Sequence, residues 1–382
     1  MTDRHIPFSK PYITELEHEY VSEVLNSGWL SRGPKTKEFE ARLAEWLGVK
    51  HAIGVNSCTA ALHLALVAYG IGQGDEVITS PYTFCSSANV IVHVGAKPVF
   101  VDIREDFNIN PDLIEAAITD KTKAIIPVHF GGGVCQMDKI MAMAKKYNLI
   151  VIEDTAHGIG AKYQNQFAGT FGHVGAYSFY ATKNLTTGEG GLFVTNDDVL
   201  ADKARVLSLH GMSQNAWNRY EKGGSWQYEV HAPGYKYNMT DLQAALGTAQ
   251  FEKFDEMQAK REHLVNRYNE VLGQYSDSLH IQYDTEEVHH AWHLYPIVLK
   301  DLDRHNRADI ITALNDKGIG TSVHFIPLHL QPFYQKAFNL KRGDYPVTEK
   351  MYDGEISLPL FPGMTFEDVD YITRNLIDIL KL

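Results

Sequence analysis

From about residue 35 to residue 250 the chain alternates short apolar runs with segments of helical periodicity, and this rhythm restricts the fold more than any other feature. Seven runs read as strands, at 51–55, 76–79, 98–101, 124–128, 149–152, 176–179 and 192–195. Helical patterns lie between them, such as 59–69, where Ala61, Leu62, Ala65 and Leu66 share a face, and 137–147. Apolar strands separated by helices need cover on both faces. The expected fold class is therefore α/β, a mainly parallel mixed sheet between helical layers.

The character changes after residue 239. Leu242, Leu246, Phe251, Phe254, Met257, Leu264 and Tyr268 recur near helical spacing, which predicts one or two long helices over 239–275. "AWHLYPIVL" (291–299) and "TSVHFI" (321–326) read as strands around a helix at about 307–317, and a helix from about Phe366 closes the chain. The expected organisation is a large unit, 1–250, and a smaller α+β unit, 251–382, with about the first 20 residues packing on the smaller one.

The 382 residues carry a formal net charge of −12 and no long run of Lys or Arg, which argues against nucleic acid or an anionic membrane as partner. No apolar run has bilayer length, and the opening "MTDRH" lacks a secretory pattern, so a cytoplasmic location is expected. Cys58, Cys85 and Cys135 are widely spaced and odd in number, against a disulfide framework or a zinc cluster. "EEVHHAWH" sets His289, His290 and His293 at metal-like spacing but runs into a strand pattern, and no metal is expected. "GIGQGDE" and "GIGA" miss the dinucleotide fingerprint and read as turns.

Four segments supply parts that make sense together. In "VIEDTAHGIGA" (151–161) an apolar strand ends in Glu153 and Asp154, placing a carboxylate at the carboxyl edge of a sheet. "SFYATKNLTTGEGG" (178–191) sets Ser178 and Lys183 after another strand, among hydroxyls and glycines. "NSCTAALHLAL" (56–66) begins a helix at Ser57 and Thr59, whose free N–H groups make an anion site. "SPYTFCSSAN" (80–89) puts the aromatic Phe84 in a loop just after a strand, where it can stack on a flat ligand. A phosphate cradle, a stacking ring, an acid at a sheet edge and a lysine are the requirements for pyridoxal 5′-phosphate (PLP).

These blocks, with "GWLSRGP" (28–34), "GTFGHVGAYSF", "GYKYNMTDLQAALG" and "SLPLFPGMT", resemble the DegT family of sugar aminotransferases over nearly the whole chain. The resemblance implies an aspartate-aminotransferase-like, fold-type I PLP enzyme acting as a homodimer with shared active sites. It implies that Lys183 forms the Schiff base with the cofactor, that Asp154 pairs with the pyridine nitrogen, and that His157, where many relatives carry glutamine, faces the 3′-oxygen. Ser57, Thr59 and Ser178 would bind phosphate, Phe84 would stack on the ring, and Asn238 would reach the phosphate of the neighbouring subunit. His324, Trp29 and Arg32 are the implied sugar-nucleotide contacts.

The implied reaction moves the amino group of L-glutamate, through pyridoxamine phosphate, to a nucleotide-linked keto sugar. "HGMSQNAWNRY", "GGSWQYEV" and "SVHFIPLHLQPFY" resemble the branch acting at C4 of 4-keto-6-deoxy sugars, with UDP and a 2-acetamido group preferred. Amination at C3 and a dTDP-linked sugar are the alternatives within the family. Two further readings are a PLP-dependent sugar dehydratase or lyase, disfavoured because Lys183 stands where the dehydratases carry histidine, and a PLP-binding regulator without turnover.

Overall fold

The computed structural model describes residues 4–212 and 228–382. In chain order the strands of its first half are β1 (His51–Val55), β2 (Glu76–Thr79), β3 (Lys97–Phe100), β4 (Thr122–Ile126) and β5 (Ile150–Asp154), then a short hairpin, β6 (Lys162–Tyr163) and β7 (Gln166–Phe167), then β8 (Val174–Ser178) and β9 (Gly191–Thr195). Seven of them form one sheet in the order β1-β9-β8-β5-β4-β2-β3. The run from β3 to β8 is parallel, and β9 lies antiparallel to both its neighbours. Residues 179–190 connect β8 to β9 by turns with no crossover helix, so the chain doubles back beside the strand it has just left. The seven strands expected from sequence are the seven of this sheet.

Both faces are covered. The helix Cys58–Ala68 is apolar all round and buries Ala61, Leu62, Leu64, Ala65 and Leu66 between the sheet and the helices Ser86–His93 and Asp198–Ser208. Met137, Ile140 and Ala144 of the helix Met137–Tyr147 pack on the apolar side chains of β4 and β5.

The last strands are β10 (Leu279–Ile281), β11 (Val288–His289), β12 (Tyr295–Leu299) and β13 (Glu355–Leu358). β11 joins the β6–β7 hairpin, while β10, β12 and β13 form an antiparallel sheet. This sheet shares a core with the helices Phe254–Leu272, Arg307–Asp316 and Phe366–Leu380, through Leu264, Tyr268, Ile297, Leu314, Ile356 and Leu376. The one or two long helices expected over 239–275 are two, Asp241–Glu252 and Phe254–Leu272, interrupted at Lys253. The Lys253 ammonium is pinned there by Glu17 at 2.5 Å and the Tyr12 carbonyl at 3.0 Å.

The opening segment divides. Ile6 pairs with Ile319 and Arg4 with Asp368, on the C-terminal side, but the helix Glu15–Ser27 packs on the helix Asp241–Glu252. Residues 321–326 are not a strand. Only Ser322 bridges, to Ser357, because the next backbone donor along that edge, His324 N–H, is taken by the Glu355 carboxylate at 2.9 Å. Among the described residues no helix is long and apolar enough to cross a membrane.

Consecutive residues of a strand face opposite sides of the sheet. At the end of β5, Asp154 turns to one side, while Glu153 accepts the N–H groups of Gly169 (2.7 Å), Phe171 (2.8 Å) and Gly172 (2.6 Å) on the other. His129 completes the set with Nε2 at 2.9 Å; since its Nδ1 accepts the Cys135 N–H, Nε2 is the nitrogen that donates. Removing a buried carboxylate with four donors orphans all of them. Glu153→Ala is expected to lower unfolding free energy by about 3–5 kcal/mol in urea titrations.

Candidate active site

A cavity of about 490 Å³ opens where the carboxyl ends of β5 and β8 meet the C-terminal sheet and the segment around Phe8. Ser57, Thr59, Phe84, Asp154, His157, Ser178, Lys183 and His324 all line it, although they come from five distant stretches of chain. Open α/β sheets place ligands at this edge because the strand ends leave a crevice between diverging connections.

Lys183 follows a turn in which its N–H donates to the Tyr180 carbonyl at 2.9 Å. Its amine makes no ion pair within 4 Å among the described residues. Burial holds its pKa down at about 8, against the opposing pull of Cys58 and Asp154. Asp154 is buried on the cavity floor, where Oδ2 accepts the Ser87 hydroxyl at 2.7 Å and Oδ1 the Ala156 N–H at 3.1 Å. Burial raises its pKa despite those bonds, so the carboxylate would gain from a cation placed against it.

His157 is held by Gly131, whose N–H donates to Nδ1 at 3.1 Å. Burial first, then Lys183 and His324, push its pKa well down. The ring is therefore neutral and carries its hydrogen on Nε2, an N–H donor at the cavity wall. Gly131 adopts φ +62°, a conformation suited to glycine, and its carbonyl accepts the N–H groups of His293 and Leu294 at 2.9 and 3.1 Å. One residue thus seats two histidines, whose ring centroids stand 4.5 Å apart.

His293 is a wall residue that sequence reading missed, since its only visible signal was the metal-like spacing of a histidine-rich run. Its pKa is pushed well down, mostly by burial, and its Nδ1 lies 3.2 Å from Asn184 Oδ1. Phe325 was also missed. It stacks on His157 at 5.8 Å and stands 5.9 Å from Phe84. No group of three or more His, Cys, Asp or Glu among the described residues could hold a metal ion.

Three expected residues lie outside the cavity lining. Arg32 grips Glu40 with both terminal nitrogens, at 2.7 and 3.0 Å, and Glu40 also accepts the Gly54 N–H, so the guanidinium works within the fold. Trp29 Nε1 donates to the Arg32 carbonyl at 3.1 Å. Asn238 is buried beside β1, with Oδ1 unpartnered among the described residues. Of the blocks that suggested the sugar branch, residues 213–227 lie outside the described residues.

The residues present fit PLP. Ser57 caps the helix Cys58–Ala68 by accepting the Ala60 N–H at 3.1 Å, leaving the Cys58 and Thr59 N–H groups without intrahelical partners at an anion-favouring end. Gly191 keeps that end open to β9, because a Cβ there would lie 2.3 Å from the Ser57 carbonyl carbon. The Phe84 ring is 58% exposed over the cavity, an apolar face for a flat heterocycle. Asp154 offers the buried carboxylate a ring N–H needs, and Lys183 an amine of lowered basicity.

A model of the DegT/DnrJ/EryC1/StrS aminotransferase family matches residues 11–377, and the chain belongs to that family. It is 52% identical over 379 residues to the spore coat polysaccharide biosynthesis protein SpsC of Bacillus subtilis, covering 98% of this chain and 97% of SpsC. The PLP form of Spr1654 from Streptococcus pneumoniae, which carries a sugar-aminotransferase assignment, superposes with a TM-score of 0.91 at 36% identity, covering 99% of each chain. Helicobacter pylori PseC, an aminotransferase involved in the biosynthesis of pseudoaminic acid, gives 0.92 at 31% identity, covering 99% of this chain and 100% of PseC. The chain is a PLP-dependent aminotransferase.

An amine attacks only when unprotonated. With its pKa lowered to about 8, Lys183 in the cofactor-free protein is expected to react with an amine-selective acylating reagent at a rate that rises through pH 8 and then levels off. Peptide mass spectrometry of the Lys183 peptide against pH, beside surface lysines that respond nearer pH 10, reads this directly.

Proposed function

We propose that this aminotransferase moves the amino group of L-glutamate to C4 of a nucleotide-linked 4-keto-6-deoxy sugar, in amino-sugar synthesis for a surface polysaccharide or glycan. The observation that carries the reading is the convergence of Lys183, Asp154, His157, Ser178 and the capped helix end at Ser57 on one cavity that also takes in His324. SpsC, named for spore coat polysaccharide biosynthesis, and PseC, involved in the biosynthesis of pseudoaminic acid, support the substrate class. UDP and a 2-acetamido group are preferred from the likeness of the 210–220, 223–230 and 322–334 segments to that branch.

When bound, PLP supplies an electron sink for the carbon that carries the amine. Asp154 keeps a proton on the ring nitrogen, and burial of that pair makes the charge interaction strong. His157, with Nδ1 taken by the Gly131 N–H, would offer its Nε2–H to the cofactor's 3′-oxygen. Ser57, Thr59, Ser178 and the free helix N–H groups hold the phosphate, and Phe84 covers the ring. Lys183 anchors the cofactor through its amine. With the donor amino acid bound, the Lys183 amine would take the proton from the donor α-carbon and later give it up, acting as base and then acid. A pKa near 8 suits both roles at neutral pH. The same lysine runs the steps in reverse with the keto sugar, so the kinetics are ping-pong. We propose that Asn238 completes the phosphate site of a second subunit in a homodimer.

Purified enzyme is expected to show a visible cofactor band that L-glutamate bleaches to the pyridoxamine form, with 2-oxoglutarate released in equal amount. Lys183→Ala is expected to lose at least about 10³-fold in this half-reaction, and Asp154→Asn at least about 10²-fold. Adding a panel of UDP- and dTDP-linked 3-keto and 4-keto sugars to the bleached enzyme then reads the acceptor as return of the band. A band that glutamate leaves unchanged would overturn the donor assignment, and return of the band with a 3-keto sugar alone would overturn C4.

A further inference from the structure

Behind His324 the cavity wall holds two polar side chains, Ser357 and Glu355, in a line that the chemistry above does not use. His324 Nδ1 lies 2.9 Å from Ser357 Oγ, and Ser357 Oγ is hydrogen-bonded to Glu355 Oε1. The other oxygen, Glu355 Oε2, accepts the His324 backbone N–H at 2.9 Å. Glu355 and Ser357 are two residues apart on β13, hence on one face, and both are fully buried. Ser322 and Ser357 exchange backbone hydrogen bonds of 3.2 and 2.9 Å, which fixes the His324 segment against β13. Phe8 stacks on the His324 ring at 5.3 Å. The imidazole is thus clamped with one nitrogen committed to Ser357.

We propose that Glu355, acting through Ser357, is a positioning residue that decides which nitrogen of His324 bears hydrogen, and so whether His324 offers the keto sugar a donor or an acceptor. The proposal rests on the reading of His324 as a sugar contact.

The logic is one of counting hydrogens. A hydroxyl has a single hydrogen to give. With Glu355 ionised, Ser357 donates to the carboxylate, so Nδ1–H must donate to Ser357 Oγ and Nε2 is left as a bare acceptor. With Glu355 protonated, its O–H donates to Ser357, the hydroxyl turns its hydrogen to Nδ1, and Nε2 carries the N–H. Passing from the first state to the second takes one proton from water at Glu355 and moves the ring hydrogen from Nδ1 to Nε2 through solvent. The imidazole stays neutral throughout, in keeping with a pKa that burial and Lys183 lower to about 4.

A keto oxygen only accepts, so the protonated state of Glu355 suits the acceptor sugar. Burial raises Glu355 to about 8, opposed by Ser357, the His324 N–H and Arg307 from the helix Arg307–Asp316; Tyr82, from the loop after β2, also faces it. The donor state therefore prevails at neutral pH and is lost as pH rises through about 8.

The decisive variant is Glu355→Gln. The His324 N–H requires an oxygen at the Oε2 position, which turns the amide NH₂ toward Ser357 and locks the donor state at every pH. Stopped-flow absorbance of the holoenzyme separates the L-glutamate half-reaction from the keto-sugar half-reaction, and their ratio cancels any titration common to both. In wild type the ratio of keto-sugar to glutamate rate is expected to fall roughly tenfold between pH 7 and pH 9.5. In Glu355→Gln it stays flat and within about threefold of wild type at pH 7. Ser357→Ala, which breaks the line from its middle, is expected to remove the pH dependence with a roughly tenfold loss at pH 7.

Long-range ¹H–¹⁵N correlation spectra of ¹⁵N-histidine holoenzyme, with His324 assigned by His324→Gln, report the tautomer without any substrate. Nε2–H at pH 7 and Nδ1–H at pH 9.5 in wild type, and Nε2–H at both in Glu355→Gln, are the expected results. A wild-type tautomer that ignores pH, or an alkaline fall that persists in Glu355→Gln, would overturn the proposal. A tautomer that follows Glu355 in an enzyme that aminates none of the keto sugars would sink the sugar reading and leave the Glu355 control standing.

Discussion

The active cavity depends on a pair of consecutive carboxylates at the end of β5. Strand alternation sends them to opposite sides of the sheet, and the two sides use them differently. Glu153 gathers three backbone N–H groups and His129 into one buried knot, which ties residues 169–172 against the strand. Asp154 is thereby presented to the cavity at a fixed height, with Ser87 and Ala156 holding its orientation. A loosened Glu153 side would let the strand end drift, and the Asp154 carboxylate would move with it. Scaffold and chemistry are adjacent here in sequence as well as in space.

Burial does the rest of the tuning. It lowers Lys183, His157, His293 and His324 and raises Asp154, in each case toward the uncharged form. The cavity is therefore arranged to receive charge that the cofactor brings. In the binding mode we propose, a phosphate would meet the open helix end at Ser57 and a cationic ring nitrogen would meet Asp154. Placing ions in a wall that is itself close to neutral keeps each interaction local and strong, because few neighbouring charges compete.

The large sheet was legible in the sequence because strands covered on both faces are apolar without interruption, and all seven stood out on that ground. Lys183, Asp154 and Ser57 were legible because each sits at the end of such a run, where periodicity stops and hydroxyls, glycines or acids begin. The second half was harder. Residues 321–326 have the composition of a strand, yet a side-chain carboxylate, Glu355, captures the backbone donor that a ladder would have used. That competition is invisible until β13 is placed. His293 and Phe325 belong to the cavity only because Gly131 and the C-terminal sheet carry them there, which no local pattern reports. Trp29 and Arg32 sit in a recognisable block, but Arg32 meets Glu40, a partner eight positions on that spacing alone did not single out.

The cavity wall is assembled from Phe8 near one end of the chain and from Leu358 and Leu360 near the other, with Ser57, Asp154 and Lys183 between. Closing it requires contacts across almost the whole contour of the polypeptide, the kind that form late because loop-closure entropy opposes them. A chain whose two ends are undocked lacks the wall that Phe8, Leu358 and Leu360 form. Tight capture of the cofactor is then reserved for chains that have finished folding, and by mass action the captured cofactor stabilises those chains alone. Cofactor occupancy in such a protein doubles as an inspection mark on the completed fold.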